Sequence, residues 1–195
     1  VDFHMPRDSF KSFEVEPSVV GVDLSELNKI VSRVPQTDSL LIDLTDFELK
    51  LLAHGEFEKQ FDLPLIDVAG EEPALPKVKF DATVEITARV LKEALKDASI
   101  LGSLVVFKVK KNNFLVEAKG TRGNLSSISK ESKEIKVSST KDVVAKFSLN
   151  FLHNIVREVN PEDKVILELK NDSPMRVLYS IGGARLEFFL AHMIL

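Results

Sequence analysis

The chain repeats itself. Aligning Leu24–Leu44 with Leu149–Leu169, an offset of 125 residues, gives seven identities in 21 positions: Leu24/Leu149, Leu27/Leu152, Ile30/Ile155, Val31/Val156, Val34/Val159, Asp38/Asp163 and Leu44/Leu169. Four more pairs keep their character: Leu40/Val165, Leu41/Ile166, Ile42/Leu167 and Asp43/Glu168. Unrelated segments of this length share only about one or two residues, so duplication explains the match. The same offset sets Phe61, Leu63 and Leu65 against Leu186, Phe188 and Leu190, a second alternating stretch. A duplicated chain of 195 residues folds as two similar units, each burying its own apolar faces. If the second copy begins near Phe80, the counterpart of Phe80–Leu125 lies upstream of Val1, and a truncated molecule is expected whose first domain lacks its first half.

Hydrophobic periodicity fills in the units. Leu24, Leu27, Ile30, Val31 and Val34 share one face of a helix, as do Leu149, Leu152, Ile155, Val156 and Val159; Val90, Leu91, Ala94, Leu95 and Ala98 form a third stripe. Val78, Phe80, Ala82, Val84 and Ile86 alternate with polar residues in the period of a half-buried strand. Strands are expected at Leu104–Val109 and Phe114–Ala118, joined by a hairpin through Lys110–Asn113, and at Val165–Leu169, Met175–Tyr179 and Leu186–Leu190 around turns at Asn171–Pro174 and Gly182-Gly183. Asp67–Lys77, with Gly70, Pro73, Pro76 and the acids Asp67, Glu71 and Glu72, reads as an extended linker. The pattern predicts an α+β fold of mostly antiparallel sheets, divided as 1–66, a connector over 67–77, and 78–195.

Composition narrows the function classes. There is no cysteine, which excludes disulfide frameworks, thiolate metal sites and cysteine nucleophiles. No apolar run approaches the roughly 20 residues that span a bilayer, and Val1–Phe10 is too polar for a signal peptide, so a cytoplasmic protein is expected. The net charge of -4 argues against bulk electrostatic capture of nucleic acid. Its distribution argues the other way. The three helical stretches carry six Lys or Arg (Lys29, Arg33, Arg89, Lys92, Lys96 and Arg157) against four acids, a net of +2, and the remainder of the chain is -6. Positive charge on helices of an acidic protein is an arrangement suited to facing phosphates without reading bases.

Catalytic chemistry finds no support. His4, His54, His153 and His192 are scattered, with no spacing that puts two metal ligands on one helix face. No Walker A or G-x-G-x-x-G sequence occurs, and Gly120–Gly123 and Gly182-Gly183 read as turns. No G-x-S-x-G elbow presents a nucleophile. No catalytic residue, metal or cofactor is assigned.

The order of several short motifs is specific. Phe61–Val68 (FDLPLIDV) stands before the acidic connector and Leu91–Ser99 (LKEALKDAS) after it; Asn171–Pro174 (NDSP), Gly182-Gly183 and Phe189-Leu190-Ala191 follow. In this order they resemble the archaeal PCNA-type DNA sliding clamps, over essentially the whole chain. The resemblance implies a DNA clamp fold: duplicated domains of antiparallel sheets with helices on the inner face, three subunits closing a ring around duplex DNA. It implies a non-enzymatic processivity factor for DNA replication and repair, bound through short peptide motifs by DNA polymerase, flap endonuclease, DNA ligase and the clamp loader. A homotrimer and a heterotrimer are both compatible with it. Lys29, Arg33, Arg89, Lys92, Lys96 and Arg157 would then face the DNA backbone. Subunits would pair edge strands at Glu58–Leu63 (Glu58, Phe61, Leu63) and Leu125–Lys130 (Leu125, Ile128, Lys130). Partner peptides would enter a pocket walled by Pro73, Leu75, Pro76, Pro174, Phe189, Leu190 and Ala191. One position departs from the pattern: the family usually ends Leu-Ala-Pro, and this chain has His192 after Leu190-Ala191. The alternative is a clamp-like scaffold for protein interactions that never encircles DNA.

Overall fold

The computed structural model describes residues 1–16, 18–68 and 75–194. In chain order the elements are β1 (Asp2–His4), α1 (Leu24–Val31), β2 (Ser39–Leu44), β3 (Glu48–His54), β4 (Lys59–Pro64), β5 (Ala82–Thr87), α2 (Ala88–Ser99), β6 (Leu104–Lys110), β7 (Asn113–Gly120), β8 (Gly123–Ile128), β9 (Ile135–Ser139), β10 (Val143–Ser148), α3 (Leu149–Val156), β11 (Lys164–Leu169), β12 (Met175–Ile181) and β13 (Ala184–Leu190). They form two compact units. Residues 14–68 make one, and residues 1–13 with 75–194 make the other.

The duplication is realised element by element. α1 and α3 are 125 residues apart at both ends, and so are β2 and β11. In the smaller unit the sheet order is β2-β3-β4, which repeats β11-β12-β13 of the larger. The hairpins differ by one residue each: Asp43 pairs with Lys50 but Glu168 with Arg176, and Ala53 pairs with Lys59 but Tyr179 with Leu186. Phe61 and Leu63 therefore correspond to Phe188 and Leu190, two residues beyond the expected match. Because side chains alternate with period two, a slip of two keeps every residue on its original face. A constant offset thus survives in the pattern although the hairpins have lengthened.

The larger unit carries the core. Its six-stranded sheet runs β1-β13-β12-β11-β5-β9 and its four-stranded sheet β10-β6-β7-β8, all antiparallel. One face of each sheet and the apolar stripes of α2 and α3 form a single cluster, with Leu91, Leu95, Leu152, Phe107 and Phe147 fully buried. The hairpin between β6 and β7 is made possible by positive φ at Lys111 (48°) and Asn112 (59°), the backbone twist of a two-residue hairpin loop. Phe107 lies at ring-centroid distances of 5.1 Å from Phe114 and 5.9 Å from Phe147. Phe107→Ala would leave a cavity inside this trio and is expected to cost about 3–5 kcal/mol, read as a lowered midpoint in urea unfolding. A loss below about 1 kcal/mol would mean the trio collapses to fill the space.

Identical sequence stripes meet different surroundings in the two units. Leu149 and Val156 of α3 are buried to 3% and 1% exposure, whereas their counterparts Leu24 and Val31 of α1 are 74% and 44% exposed. β11 alternates buried and half-buried residues, whereas every residue of β2 is exposed. The cause is the neighbours. α3 packs against α2 and β11 pairs edge to edge with β5, and the described residues of the smaller unit include no equivalent of either.

Two expectations about boundaries change. Residues 1–13, expected in the first domain, pack with the larger unit, because β1 pairs with the edge of β13 (Asp2 with Glu187, Phe3 with Leu186, His4 with Arg185). Arg7 then anchors the following turn, donating to the Phe13 carbonyl at 2.8 Å and lying over the Phe13 ring. The strand expected from Val78 begins only at Ala82. In the connector, Gly70, Glu71, Glu72 and Pro73 lie outside the described residues.

Candidate functional site

Of the cations proposed to face DNA, Lys29, Arg89, Lys92 and Lys96 lie on helices, whereas Arg33 and Arg157 lie in the turns that follow α1 and α3, and most already have partners. Lys29 Nζ meets Glu26 Oε1 at 2.6 Å, and that hydrogen bond holds its ammonium above its ordinary pKa. Lys96 Nζ meets Glu93 Oε1 at 2.7 Å. These are i,i+3 pairs on exposed helix surface, weak and easily opened. Arg157 Nε meets the neighbouring Glu158 at 2.6 Å. Arg89 lies between Glu134 Oε2 at 3.7 Å and Glu162 Oε1 at 3.5 Å. The Thr87 hydroxyl and, less strongly, Arg89 hold the Glu134 carboxyl below the usual carboxylate range. Arg33 is exposed and its guanidinium makes no hydrogen bond or ion pair among the described residues.

Lys92 differs in kind. Its Nζ donates to the backbone carbonyls of Arg157 at 2.9 Å and Val159 at 2.6 Å. Those carbonyls follow the last turn of α3, where a helix leaves acceptors unsatisfied and where its dipole favours a cation. Lys92 therefore ties α2 to the end of α3, and its half-buried side chain is a positioning group. Helix periodicity places it on the polar face but cannot show that a neighbouring helix ends within its reach. The outward face of α3 carries Asn150, Phe151 and Asn154 beside Arg157; Phe151 is 59% exposed. Sequence reasoning passed over this largely neutral stretch because it counted charges.

The surface proposed to take peptides is assembled at one end of β12 and β13. Met175 pairs with Leu190, which sets Pro174 beside Ala191. Leu190 is buried, Pro174 and Phe189 are half-buried and Ala191 is exposed. Leu75 and Pro76 are exposed on the segment leading to Phe80, and Pro73 lies outside the described residues. Arg176, opposite Phe189, binds Glu168, reaches Glu187 Oε1 at 3.3 Å, and covers the Phe80 ring at 5.3 Å. The hydrogen bond to Glu168 holds the Arg176 guanidinium above its ordinary pKa. Beyond Ala191, Met193 N–H donates to the Lys146 carbonyl at 2.8 Å, so the tail lies along β10.

Among the strand edges that remain open are those of β4, which pairs only with β3, and β8, which pairs only with β7. Phe61 and Leu125 are half-buried, Leu63 faces its own unit's core, and Glu58, Ile128 and Lys130 are exposed; Ile128 is 64% exposed. No cluster of three His, Asp or Glu able to hold a metal gathers among the described residues, and no helix there is long and apolar enough to cross a membrane.

Residues 74–194 match the family model for the proliferating cell nuclear antigen C-terminal domain. The DNA polymerase sliding clamp 1 of Thermococcus kodakarensis is 30% identical over 98% of this chain and 79% of its own length. The chain belongs to the PCNA family of DNA sliding clamps. The sliding clamp of Pyrococcus furiosus is 29% identical over the same shares. Among solved structures, PCNA from Thermococcus kodakaraensis superposes with a TM-score of 0.88 at 21% identity, covering 98% of this chain and 80% of that one. A. fulgidus PCNA bound to the C-terminal region of FEN-1 gives 0.87 at 24% identity, covering 99% and 80%. The clamp fold expected from the motif order is therefore the fold observed, with antiparallel sheets and three helices. In this clamp-family chain the β1–β13 pairing is the feature sequence reasoning missed. Three residues, Asp2–His4, carry too little periodicity to announce a strand.

Proposed function

We propose that the protein acts as a subunit of a ring that encircles duplex DNA and tethers replication and repair enzymes to it. The observation that carries this reading is the duplicated fold in which β4 of the smaller unit and β8 of the larger each leave an edge unpaired. An open edge is a row of unpaired N–H and C=O groups, and pairing β4 of one subunit with β8 of the next satisfies both rows at once. Glu58, Phe61 and Leu63 would meet Leu125, Ile128 and Lys130 across that junction. β1 on β13 is an internal precedent, since β13 is the counterpart of β4 and its edge is already covered. Three subunits close the ring, as the same or as different chains.

Within the ring, Arg33, Lys29 and Lys96 supply the mobile cations, and Arg89 and Arg157 add charge from within their carboxylate pairs. Lys92 contributes chiefly by holding α2 against α3. Such contacts attract phosphates without fixing a register, which permits sliding. Partner peptides, including those of DNA polymerase, flap endonuclease, ligase and the clamp loader, would dock on Pro174, Phe189, Leu190 and Ala191, with Pro73, Leu75 and Pro76 contributed by the connector. The chemistry is topological, so no catalytic step is assigned.

The deciding experiment loads the protein with a clamp loader onto nicked circular DNA and follows its retention before and after the circle is cut. Retention on the circle and release from the linear form is the expected result. Charge reversal at Lys29, Arg33 and Lys96 together is expected to cut retention by about tenfold or more at low salt, with the effect fading as salt rises. A second reading, the scaffold that does not encircle DNA, draws on the internal pairing of five of the six cations. Equal retention on circular and linear DNA would favour it.

A further inference from the structure

We propose that Glu26, Glu93 and Glu158 limit the grip of the clamp on DNA: each holds a candidate DNA-facing cation in an exchangeable ion pair, so that a phosphate is bound only by displacing a carboxylate. This role rests on the DNA-facing surface proposed above, and it explains why those cations are paired.

The acids are placed rather than scattered. The three helical stretches carry four of them, Glu26, Glu93, Asp97 and Glu158, and three of the four hold a candidate cation. Glu26 with Lys29 on α1 and Glu93 with Lys96 on α2 repeat one Glu-x-x-Lys arrangement, at N–O distances of 2.6 and 2.7 Å. Glu158 meets Arg157 at 2.6 Å in the turn after α3. The internal repeat supplies a comparison. At the offset of 125 residues, Glu26 and Lys29 of α1 become Phe151 and Asn154 of α3, so both members of the pair are replaced together by neutral residues. In the turn that follows, Ser32-Arg33 becomes Arg157-Glu158, and the new cation arrives with a carboxylate beside it.

These pairs are built to open. All six side chains are at least half exposed, and exposed pairs of this kind are weak. A phosphate oxygen can therefore take the place of the carboxylate. Exchanging one anion for another on the same cation leaves the charge of the contact unchanged, so its energy differs little between one position along the duplex and the next. The released carboxylate gathers counterions from solution, which offsets part of the counterion release that drives phosphate binding. The contact is thus weaker and less dependent on salt than bare cations would make it. Weak, uniform contact suits sliding, because the closed ring and not the helix surface prevents escape.

The test compares Glu26→Gln/Glu93→Gln with Asp46→Asn/Asp172→Asn. Each removes two exposed carboxylates, the second variant from the β2–β3 and β11–β12 turns. Affinity for a short fluorescent duplex is titrated across a salt series, and diffusion of the loaded protein along a stretched duplex is followed by single-molecule fluorescence. The glutamate variant is expected to bind about three- to tenfold more tightly at low salt, with a log–log salt slope steeper by up to about 0.9 for each cation freed, and to diffuse more slowly. The turn variant should stay within about twofold of the native chain. An equal gain in the turn variant would be an effect of net charge and overturns the exchange. Tighter binding without slower diffusion overturns the link to sliding. Lys29→Met/Lys96→Met separates the exchange from the DNA-facing surface itself. Weaker binding in this variant beside an unchanged glutamate variant overturns the exchange and leaves the surface standing. Unchanged binding in both shows that these helices do not face DNA, and the surface and the exchange fall together.

Discussion

Lys92→Met is expected to lower the stability of the protein by about 2–3 kcal/mol, whereas Lys96→Met changes it by less than about 0.5 kcal/mol. Both lysines lie on α2 four residues apart, and charge counting treats them alike. Their contacts separate them. Lys96 is an exposed partner of Glu93, in an arrangement water replaces at little cost. Lys92 donates to two carbonyls beyond the end of α3, one of them partly buried. Methionine keeps the length of the stem and removes the donors, leaving those acceptors without a partner. Each kcal/mol shifts the midpoint of a domain of this size by about 2–4 °C, so thermal unfolding resolves the difference. Equal stability of the two variants would show that solvent takes over the role of Lys92. Loss of DNA retention in Lys92→Met without loss of stability would return Lys92 to the DNA-facing set.

Ile128→Asp is expected to convert a three-subunit particle into single chains by light scattering. Ile128 is 64% exposed at the end of β8, so its replacement leaves the subunit's own core untouched. In the paired edge it would be covered, and burying an isoleucine is worth about 1.5–3 kcal/mol, which the carboxylate both forfeits and reverses. Each junction should weaken by about a hundredfold or more, and closure needs all of them together. Phe151→Asp is the control. It replaces an equally exposed apolar residue, on α3 away from any strand edge, and should leave the mass unchanged. A stable trimer of Ile128→Asp would place the subunit junction elsewhere; dissociation of both variants would point to a general effect of added charge.

The repeat was legible because it is written in long periodic segments. α1 and α3 share their ends at the expected offset, and the stripe of each is visible without its surroundings. What the stripe cannot report is what covers it, which is why Leu149 is buried and Leu24 is not. Turn length was equally hidden, since a two-residue slip preserves alternation and leaves Phe61 and Phe188 on matching faces. Lys29, Arg89, Lys92 and Lys96 lie on helices as the periodicity expects, but the role of Lys92 is set by a long-range contact. Lys92 meets Val159 across 67 positions of chain, a separation over which local pattern carries no information. The short strand Asp2–His4 drew its stability from β13, far away in sequence, and so carried no local signature.

Phe80 under the Arg176 guanidinium also sets a mechanical limit on the connector. Arg176 is itself held by Glu168 and Glu187, and Glu187 by Arg185 at 3.2 Å, so three strands share any pull arriving at Phe80. The chain is thereby pinned two residues before β5 begins. Residues 75–79 precede that pivot and span about 17 Å when fully extended. A tug on Leu75 or Pro76 is borne by the sheet as a whole, distributed through guanidinium and carboxylate rather than through the backbone of a single strand.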